Sequence, residues 1–338
     1  TVTPVLSREV PYPGRCIMHK PRLGDTLPVY VWDKYEEFPN VVPMVDLPQE
    51  EVDDYLRRNV SVVARVVADN DITAIHVNHA VLSSVVAATV SERTGVPFVV
   101  MPHGGAIEYA VKKDDRVLRY APDAVAAAGP FMVIGRELRE RMHKVFGERV
   151  PDVGSKMTEL NLGVDTSLFD LVPRPERARS VAALEEALGG VMRGKRPEQT
   201  RAMEERLSPN MSEADLLAAI ADASKYDAKR PDADVEAKLR GVDWSGGAPA
   251  LLYVGRIISG KGLHSVLVAL PRILEEQPTA RLVVVGHGPL REALEALLWA
   301  LGRGELGLAR SIVRWGGRLE GSEQGALAEA EAFLDGLE

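Results

Sequence analysis

The segment Gly255-Arg256-Ile257-Ile258-Ser259-Gly260-Lys261-Gly262 has the residue types and spacing of an anion-binding loop. An apolar run precedes it and a helical pattern follows it, so strand, loop and helix are predicted in that order. Backbone N–H groups and the positive end of the helix would then converge on one point, which suits a phosphate. Arg256 and Lys261 add positive charge, and a guanidinium holds a diphosphate through paired hydrogen bonds. Taken alone, the segment is equally consistent with a glycine-containing turn that carries solvated basic residues.

Two other nucleotide-binding motifs match this part of the chain incompletely. Residues 255–261 have the Gly-x4-Gly-Lys spacing of the nucleoside-triphosphatase loop, but Gly262 stands where a Ser or Thr would hold magnesium. Gly286-x-Gly288 is similar to the start of a dinucleotide fingerprint, but Arg291 occupies the position of the third glycine. Both alternatives are weakened by these departures.

Histidines near the ends of predicted strands form a second group of candidates. His103 follows the apolar run 98–101 and precedes Gly104 and Gly105, a strand-end position at which functional residues concentrate. A histidine that only bonds nearby backbone is the alternative, and we favour the functional interpretation. His76 and His79 form a His-x-x-His pair of the kind that can bind a metal. The pair spans the end of a strand and a loop, however, and no third ligand is evident. Ordinary cleft-lining or core roles are therefore favoured for this pair.

Acidic pairs provide a separate test for a metal site. Asp232-Ala233-Asp234 has the Asp-x-Asp spelling with which some enzymes hold a divalent cation. It lies in a charged stretch without a flanking strand, as Asp53-Asp54 lies in a predicted helix and Asp114-Asp115 in a lysine-rich turn. Solvated surface charge is the favoured interpretation for all three, and no metal is predicted.

Bulk properties narrow the class of protein. A length of 338 residues fits two α/β domains, and a net charge of −8 argues against a nucleic-acid binder that relies on overall charge. Cys16 is the only cysteine, which excludes an internal disulfide and favours a reducing, cytoplasmic location. No apolar run reaches the roughly 18 residues of a transmembrane helix. Peripheral contact with a membrane is left open.

In residues 1–170, the elements that would position the candidate residues alternate between strand and helix as in a parallel α/β fold. These residues are predicted to form a Rossmann-like domain. Apolar periodicity predicts helices at 51–69, 81–93 and 136–146, and strands at 27–32, 41–45, 72–77, 98–101, 124–128 and 157–160.

The remainder of the chain divides by composition. Residues 171–247 are rich in Ala and charged residues and contain helical patterns at 178–189 and 211–223, which predicts a charged helical insertion, most simply a solvated excursion. Residues 248–338 are predicted to form a second Rossmann-like domain with strands at 250–254, 281–285 and 312–316 and helices beginning at 263 and 290. Three strands are few for a doubly wound domain, so this domain is predicted to be incomplete.

The order of motifs along the chain resembles that of the family 4 glycosyltransferases, retaining enzymes of the two-Rossmann-domain (GT-B) type. The matching segments are Gly255-Arg256 through Lys261-Gly262, Ile75–His79, Val96–Gly105, Asn161–Asp165 with Phe169, and Leu282–Pro289. Together they cover roughly residues 72–320 apart from the insertion. The resemblance implies that residues 1–170 are the acceptor-side domain and residues 248–338 the nucleotide-sugar-binding domain. Each motif is moderately specific, and their joint order and spacing carry the resemblance.

The resemblance implies roles for individual residues. In that family the Arg and Lys of the loop bind the donor diphosphate and stabilise the negative charge that grows on it as the sugar departs. These roles fall on Arg256 and Lys261, flanked by Gly255 and Gly262, and the family's donor-sugar histidine matches His103. Residues expected to line the cleft are His79, Gly104, Gly105, Gly286 and Gly288. A UDP-, GDP- or ADP-sugar donor, a carbohydrate, lipid or small-molecule acceptor, and no metal or other cofactor are implied as well.

Two parts of the family pattern have no counterpart. Residues 1–15 supply no clear first strand with a Gly-rich loop, and Glu323, Glu329 and Glu331 come too early for the family's Glu-x7-Glu segment. We therefore expect a chain truncated at both ends. The leading prediction is a retaining glycosyltransferase. The alternatives are a truncated, inactive GT-B remnant or nucleotide-binding module, and a degenerate phosphate-loop nucleotidase.

Overall fold

The computed structural model describes residues 2–4, 16–19, 26–30, 40–321 and 325–336. The chain divides into two compact units, Thr1–Asp165 and Thr166–Glu338. Each contains helices and parallel strands, which confirms the predicted α/β class. Some predictions concern positions outside the described residues. These positions are residues 31–32 of the predicted strand 27–32, most of residues 1–15, and Glu323. Within those described, no helix combines the length and apolar character needed to cross a bilayer.

The first unit contains a four-stranded parallel sheet whose strands follow each other in chain order. The strands of the unit are β1 (Val2–Pro4), β2 (Ile17–His19), β3 (Thr26–Val29), β4 (Asn40–Pro43), β5 (Ile75–Asn78), β6 (Phe98–Met101), β7 (Phe131–Val133) and β8 (Met157–Glu159). The helices are α1 (Gln49–Asp69), α2 (Ser83–Thr94), α3 (Gly104–Ala106), α4 (Asp115–Ala127), α5 (Gly135–Phe146) and α6 (Val153–Lys156), and a π-helix at Ile107–Val111 follows α3. The sheet consists of β5, β6, β7 and β8, while β1 pairs antiparallel with β2 and β3 pairs in parallel with β4.

The predicted strand at 124–128 is wrong, because residues 124–127 form the end of helix α4 and Ala128 is its C-cap. Asp114 caps the start of α4 by accepting a hydrogen bond from the Arg116 N–H at 2.8 Å. Val117, Ala121 and Ala124 recur at helical spacing and are buried. A short alanine-rich apolar run does not by itself distinguish a strand from a buried helical segment.

The second unit has two strands and eight helices among its described residues. The helices are α7 (Arg177–Ala187), α8 (Pro197–Glu204), α9 (Glu213–Ala223), α10 (Val235–Arg240), α11 (Leu263–Glu276), α12 (Arg291–Arg303), α13 (Leu306–Trp315) and α14 (Ala328–Asp335). The strands β9 (Ala250–Val254) and β10 (Arg281–Val285) pair in parallel, and in the described part of the chain they pair only with each other. Their outer edges are therefore open within that part.

The predicted third strand at 312–316 is also wrong. Residues 312–315 belong to α13, where Leu308, Ala309, Ile312 and Val313 are buried at the spacing of one helical face. The apolar run was too short for its periodicity to separate the two interpretations.

Part of the segment 171–247, predicted to be a solvated excursion, is packed into the core of the second unit. Helices α8 and α9 pack against α12, and Met203, Leu216 and Ile220 are buried in the core of the second unit together with Leu294 and Leu297. Helices α7 and α10 of the same segment have no buried residues. The prediction of solvation is therefore wrong for α8 and α9.

A buried ion cluster joins this segment to the first turns of α12. The Lys195 side chain is 2% exposed, and its Nζ lies 2.9 Å from Glu292 Oε1 and 2.5 Å from Glu295 Oε2. Tyr226 donates its hydroxyl hydrogen bond to the same Glu292 oxygen at 2.7 Å. A buried ammonium requires such compensation, because transfer of an unpaired charge from water costs several kcal/mol.

Asp232, predicted to be solvated surface charge, is part of the same region. It accepts two hydrogen bonds from Arg291, at 2.8 and 2.7 Å, and one from Lys238 at 2.6 Å. Burial alone would raise the pKa of Asp232, but the hydrogen bonds from Arg291 and Lys238 hold that pKa below its ordinary value. The carboxylate therefore anchors this segment to α12 instead of being solvated at the surface as predicted.

Lys195→Ala is expected to lower the free energy of unfolding of the second unit by about 3 kcal/mol, because Glu292 and Glu295 lose their shared cation in a buried setting. Urea denaturation followed by tryptophan fluorescence measures this change. The control is Lys225→Ala, whose side chain is 72% exposed and pairs with Asp222 at the surface. That change should cost less than about 1 kcal/mol. Equal costs for the two variants would contradict the importance of the buried cluster.

Candidate functional site

The loops that follow β9 and β10 are bonded backbone to backbone. The Gly255 N–H donates to the Val285 carbonyl at 3.0 Å, and the Ile257 N–H donates to the His287 carbonyl at 2.9 Å. These bonds continue the parallel pairing of the two strands beyond their ends. Both loops therefore lie at the carboxyl edge of the sheet, where ligands of open α/β sheets bind.

Gly286 and Gly288 permit this close approach. A Cβ atom on Gly286 would lie 1.8 Å from the carbonyl oxygen of Gly255, and one on Gly288 would lie 2.2 Å from that of Ile257. Neither distance is compatible with a side chain, and the obstructing atoms belong to backbone. The two glycines, expected to line a cleft, have a packing role that holds the loop after β9 in place.

The four residues expected to hold a diphosphate lie in this one loop between β9 and α11. A 3-10 turn at Ser259–Lys261 ends at Gly262, whose φ of +72° is in the left-handed region that favours glycine. Helix α11 begins at Leu263. The Ser265 N–H donates to the Gly262 carbonyl at 3.1 Å, while the N–H groups of Leu263 and His264 have no carbonyl partner inside the helix. Arg256 is half-buried and Lys261 is exposed. The loop thus combines helix N–H groups, the positive helix end and two cations, which is an arrangement that binds anions.

Glu320 is a residue of this loop region that the sequence did not reveal. Its carboxylate accepts a hydrogen bond from the Ser259 N–H at 3.0 Å and a second, short one from the Ser259 hydroxyl. Glu320 is 8% exposed and ends the 3-10 turn Gly316–Glu320 that follows α13. No local signal could have identified it, because 61 residues separate the two partners.

Gly286→Ala is expected to destabilise the second unit by about 2 kcal/mol, because its methyl group meets the Gly255 carbonyl and forces the two loops apart. Gly260→Ala is the matched control, since a Cβ there meets nothing within 4 Å. Thermal unfolding of both variants, followed by circular dichroism, tests the prediction. A Gly286→Ala variant as stable as the control would show that the loops separate without cost.

The candidate histidines of the first unit follow neighbouring parallel strands, His79 after β5 and His103 after β6. Their ring centroids are 4.6 Å apart, and the ring centroids of Tyr30 and His79 are 4.4 Å apart. His103 Nε2 is 3.1 Å from Asn78 Oδ1. The structure therefore brings Tyr30, His79, His103 and Asn78 together at the carboxyl edge of this sheet. Tyr30 was not predicted, because it lies in a separate segment about 50 residues before His79.

Gly104 and Gly105 lie directly after His103 in α3. A Cβ on Gly104 would be 3.0 Å from Arg141 Nη1, and Arg141 pairs with Glu108 at 3.2 Å. Gly104 therefore leaves room for an ion pair beside the histidine. His76 lies outside this cluster: it is exposed on β5. Among the residues that the structure describes, no group of three or more His, Cys, Asp or Glu side chains is arranged to hold a metal ion.

His79 has two features that set it apart from an ordinary loop histidine. Its φ of +74° is uncommon for a non-glycine residue, and such strain concentrates at functional sites. Burial, followed by the charge of His103, lowers the pKa of His79 to about 4. His79 is consequently a neutral imidazole throughout the physiological pH range.

The His79 ring is expected to titrate near pH 4 in a histidine-selective NMR titration, against an ordinary value of 6.5. Because the unfolded chain takes up this proton at higher pH, falling pH destabilises the fold through His79 between about 6.5 and 4. Tyr30→Ala should move the pKa upward, since burial is its main cause. Tyr109→Ala, which removes a ring that lies beside Lys113 and not beside His79, should leave it in place. A ring that titrates near 6.5 in the unmodified protein would contradict the burial seen here.

Comparisons with known proteins find similarity in part of the second unit. Residues 234–305 match the family model described as "Glycosyl transferases group 1". An uncharacterized glycosyltransferase of Methanocaldococcus jannaschii is 42% identical over 52 residues, which are 15% of this chain and 13% of that protein. The matched part is thus a small fraction of the relative's length. These matches confirm the glycosyltransferase resemblance predicted from the motifs.

Among solved structures, the chain is similar to UDP-GlcNAc 2-epimerase from Neisseria meningitidis bound to UDP-GlcNAc, with 10% identity and a TM-score of 0.31. The similarity covers 77% of this chain and 54% of the epimerase. At that score it supports no conclusion about fold or function.

Proposed function

We propose that this chain, whose residues 234–305 match the group 1 glycosyltransferase family, transfers a sugar from a nucleotide diphosphate sugar to an acceptor with retention of configuration. The observation that carries the proposal is the loop at 255–262. It lies inside the matched segment, at the carboxyl edge of a parallel sheet, and it combines a helix start with Arg256 and Lys261.

The proposed reaction breaks the bond between the anomeric carbon and a diphosphate oxygen. A bond forms from that carbon to the oxygen of an acceptor hydroxyl, whose proton passes to the departing diphosphate. Negative charge grows on the diphosphate as that bond breaks. The first-turn N–H groups of α11, together with Arg256 and Lys261, would stabilise the growing charge. Because these donors are fixed before the reaction, little reorganisation is required during it. Positive charge supplied in this way supports our further proposal that the reaction uses no metal or other cofactor.

His103 is proposed to contact the donor sugar. Asn78 presents its Oδ1 to His103 Nε2 at 3.1 Å, and an amide oxygen only accepts hydrogen bonds, so Nε2 carries the proton. In a neutral ring Nδ1 is then an acceptor, suited to a sugar hydroxyl. The acceptor is proposed to be a carbohydrate, a lipid or a small molecule rather than a nucleic acid, and the location to be cytoplasmic. The single, exposed Cys16 and the net charge of −8 support these two proposals.

Arg256→Ala and Lys261→Ala are each expected to weaken binding of the matching nucleoside diphosphate about 10- to 100-fold, because each removes a charge-assisted hydrogen bond of roughly 1.5–3 kcal/mol. Isothermal titration calorimetry with UDP, GDP and ADP measures the change. Arg272→Ala is the matched control, since Arg272 lies on α11 about ten residues, or about 15 Å, beyond Gly262. Unchanged affinity in both loop variants would remove the loop from the site.

Transfer itself is tested by incubating the protein with UDP-, GDP- and ADP-sugars and measuring transfer and slow donor hydrolysis. Either reaction, lost in the His103→Ala variant, supports the proposed enzyme. Nucleotide binding without transfer or hydrolysis across the panel would favour the alternative, a nucleotide-binding module without activity. This alternative is considered because the family match covers only residues 234–305.

A further inference from the structure

The loop proposed to bind the diphosphate already holds an anion supplied by the chain. Glu320 accepts the N–H of Ser259 at 3.0 Å and the Ser259 hydroxyl. Its side chain is almost fully buried, so this carboxylate is withdrawn from solvent. The Ser259 N–H is thereby engaged, and a diphosphate at the loop would rely on the N–H groups of the first turn of α11.

The Glu320 charge lies close to where the diphosphate would sit. The Glu320 carboxylate is bonded to Ser259, and Gly262, which caps the start of α11, lies three positions further along the 3-10 turn, about 6 Å at 2.0 Å per residue. The Debye length at physiological ionic strength is about 8 Å, so charges within a loop of this size are only partly screened from each other. Burial reduces the screening further. Glu320 therefore opposes the attraction that Arg256, Lys261 and the helix end exert on the same ligand.

Resting on the proposed function, we infer that Glu320 is an internal anion that weakens diphosphate binding at this loop and speeds release of the nucleoside diphosphate product. The contact does two things at once. Its hydrogen bonds hold the turn Ser259–Lys261 in place, and its charge limits how tightly the finished product is retained. Because a glutamine retains the shape and an amide oxygen for the Ser259 N–H, Glu320→Gln separates the two effects.

Glu320→Gln is expected to bind the matching nucleoside diphosphate about 3- to 10-fold more tightly than the unmodified protein, mainly through slower dissociation. The gain should shrink between 50 and 500 mM salt, because it is electrostatic. Calorimetry with UDP, GDP, ADP and inorganic pyrophosphate measures affinity, and stopped-flow displacement measures dissociation. Glu320→Ala, which removes the hydrogen bonds as well, should bind more weakly than Glu320→Gln.

Glu276→Gln is the matched control. It removes one exposed negative charge at the far end of α11, 14 residues and about 21 Å from Gly262, and should leave affinity unchanged. Affinity of Glu320→Gln equal to or below that of the unmodified protein at every salt concentration would overturn the inference and leave a purely structural contact. Absence of binding by both proteins to all four probes would instead contradict the proposed donor site.

Discussion

The approach of two strand-end loops, backbone against backbone, is the constraint on which the candidate site of the second unit depends. Gly286 and Gly288 leave no space for a side chain between the loops, and the resulting bonds continue the pairing of β9 with β10. Ile257, held in this way, also accepts the N–H of Leu290 just before α12. One close contact therefore sets both the path of the anion-binding loop and the start of the next helix.

The charged segment before β9 shows how composition misleads when charges are buried in pairs. Its abundance of Lys, Arg, Asp and Glu is typical of a solvated surface. In the structure Lys195 and Asp232 instead bond to residues of α12, on the opposite side of β9 in the sequence. Such pairs contribute little net stability compared with apolar packing, but loss of one partner is costly. Their effect is to fix where α8, α9 and α10 sit within the unit.

Local patterns predicted the parts of the site that adjoin in sequence. The strands at 250–254 and 281–285 and the helix beginning at 263 have the predicted bounds, because glycine-rich turns and a clear apolar stripe delimit them. The short runs at 124–128 and 312–316 failed because burial, which the sequence does not display, decided between helix and strand. Tyr30 and Glu320 were missed for a different reason. Each reaches its partner across about 50 or more residues, a distance over which periodicity carries no information.

The open edges of β9 and β10 have a consequence for handling this protein. Arg281 and Val285 direct their backbone groups toward β9, so the alternating residues Leu282 and Val284 direct theirs away from it. On β9, Leu252 and Val254 are 66% and 69% exposed. Within the described residues these edges have no partner strand, and apolar strands with open edges recruit further strands. The exposed apolar residues therefore favour self-association in concentrated samples, which the net charge of −8 opposes.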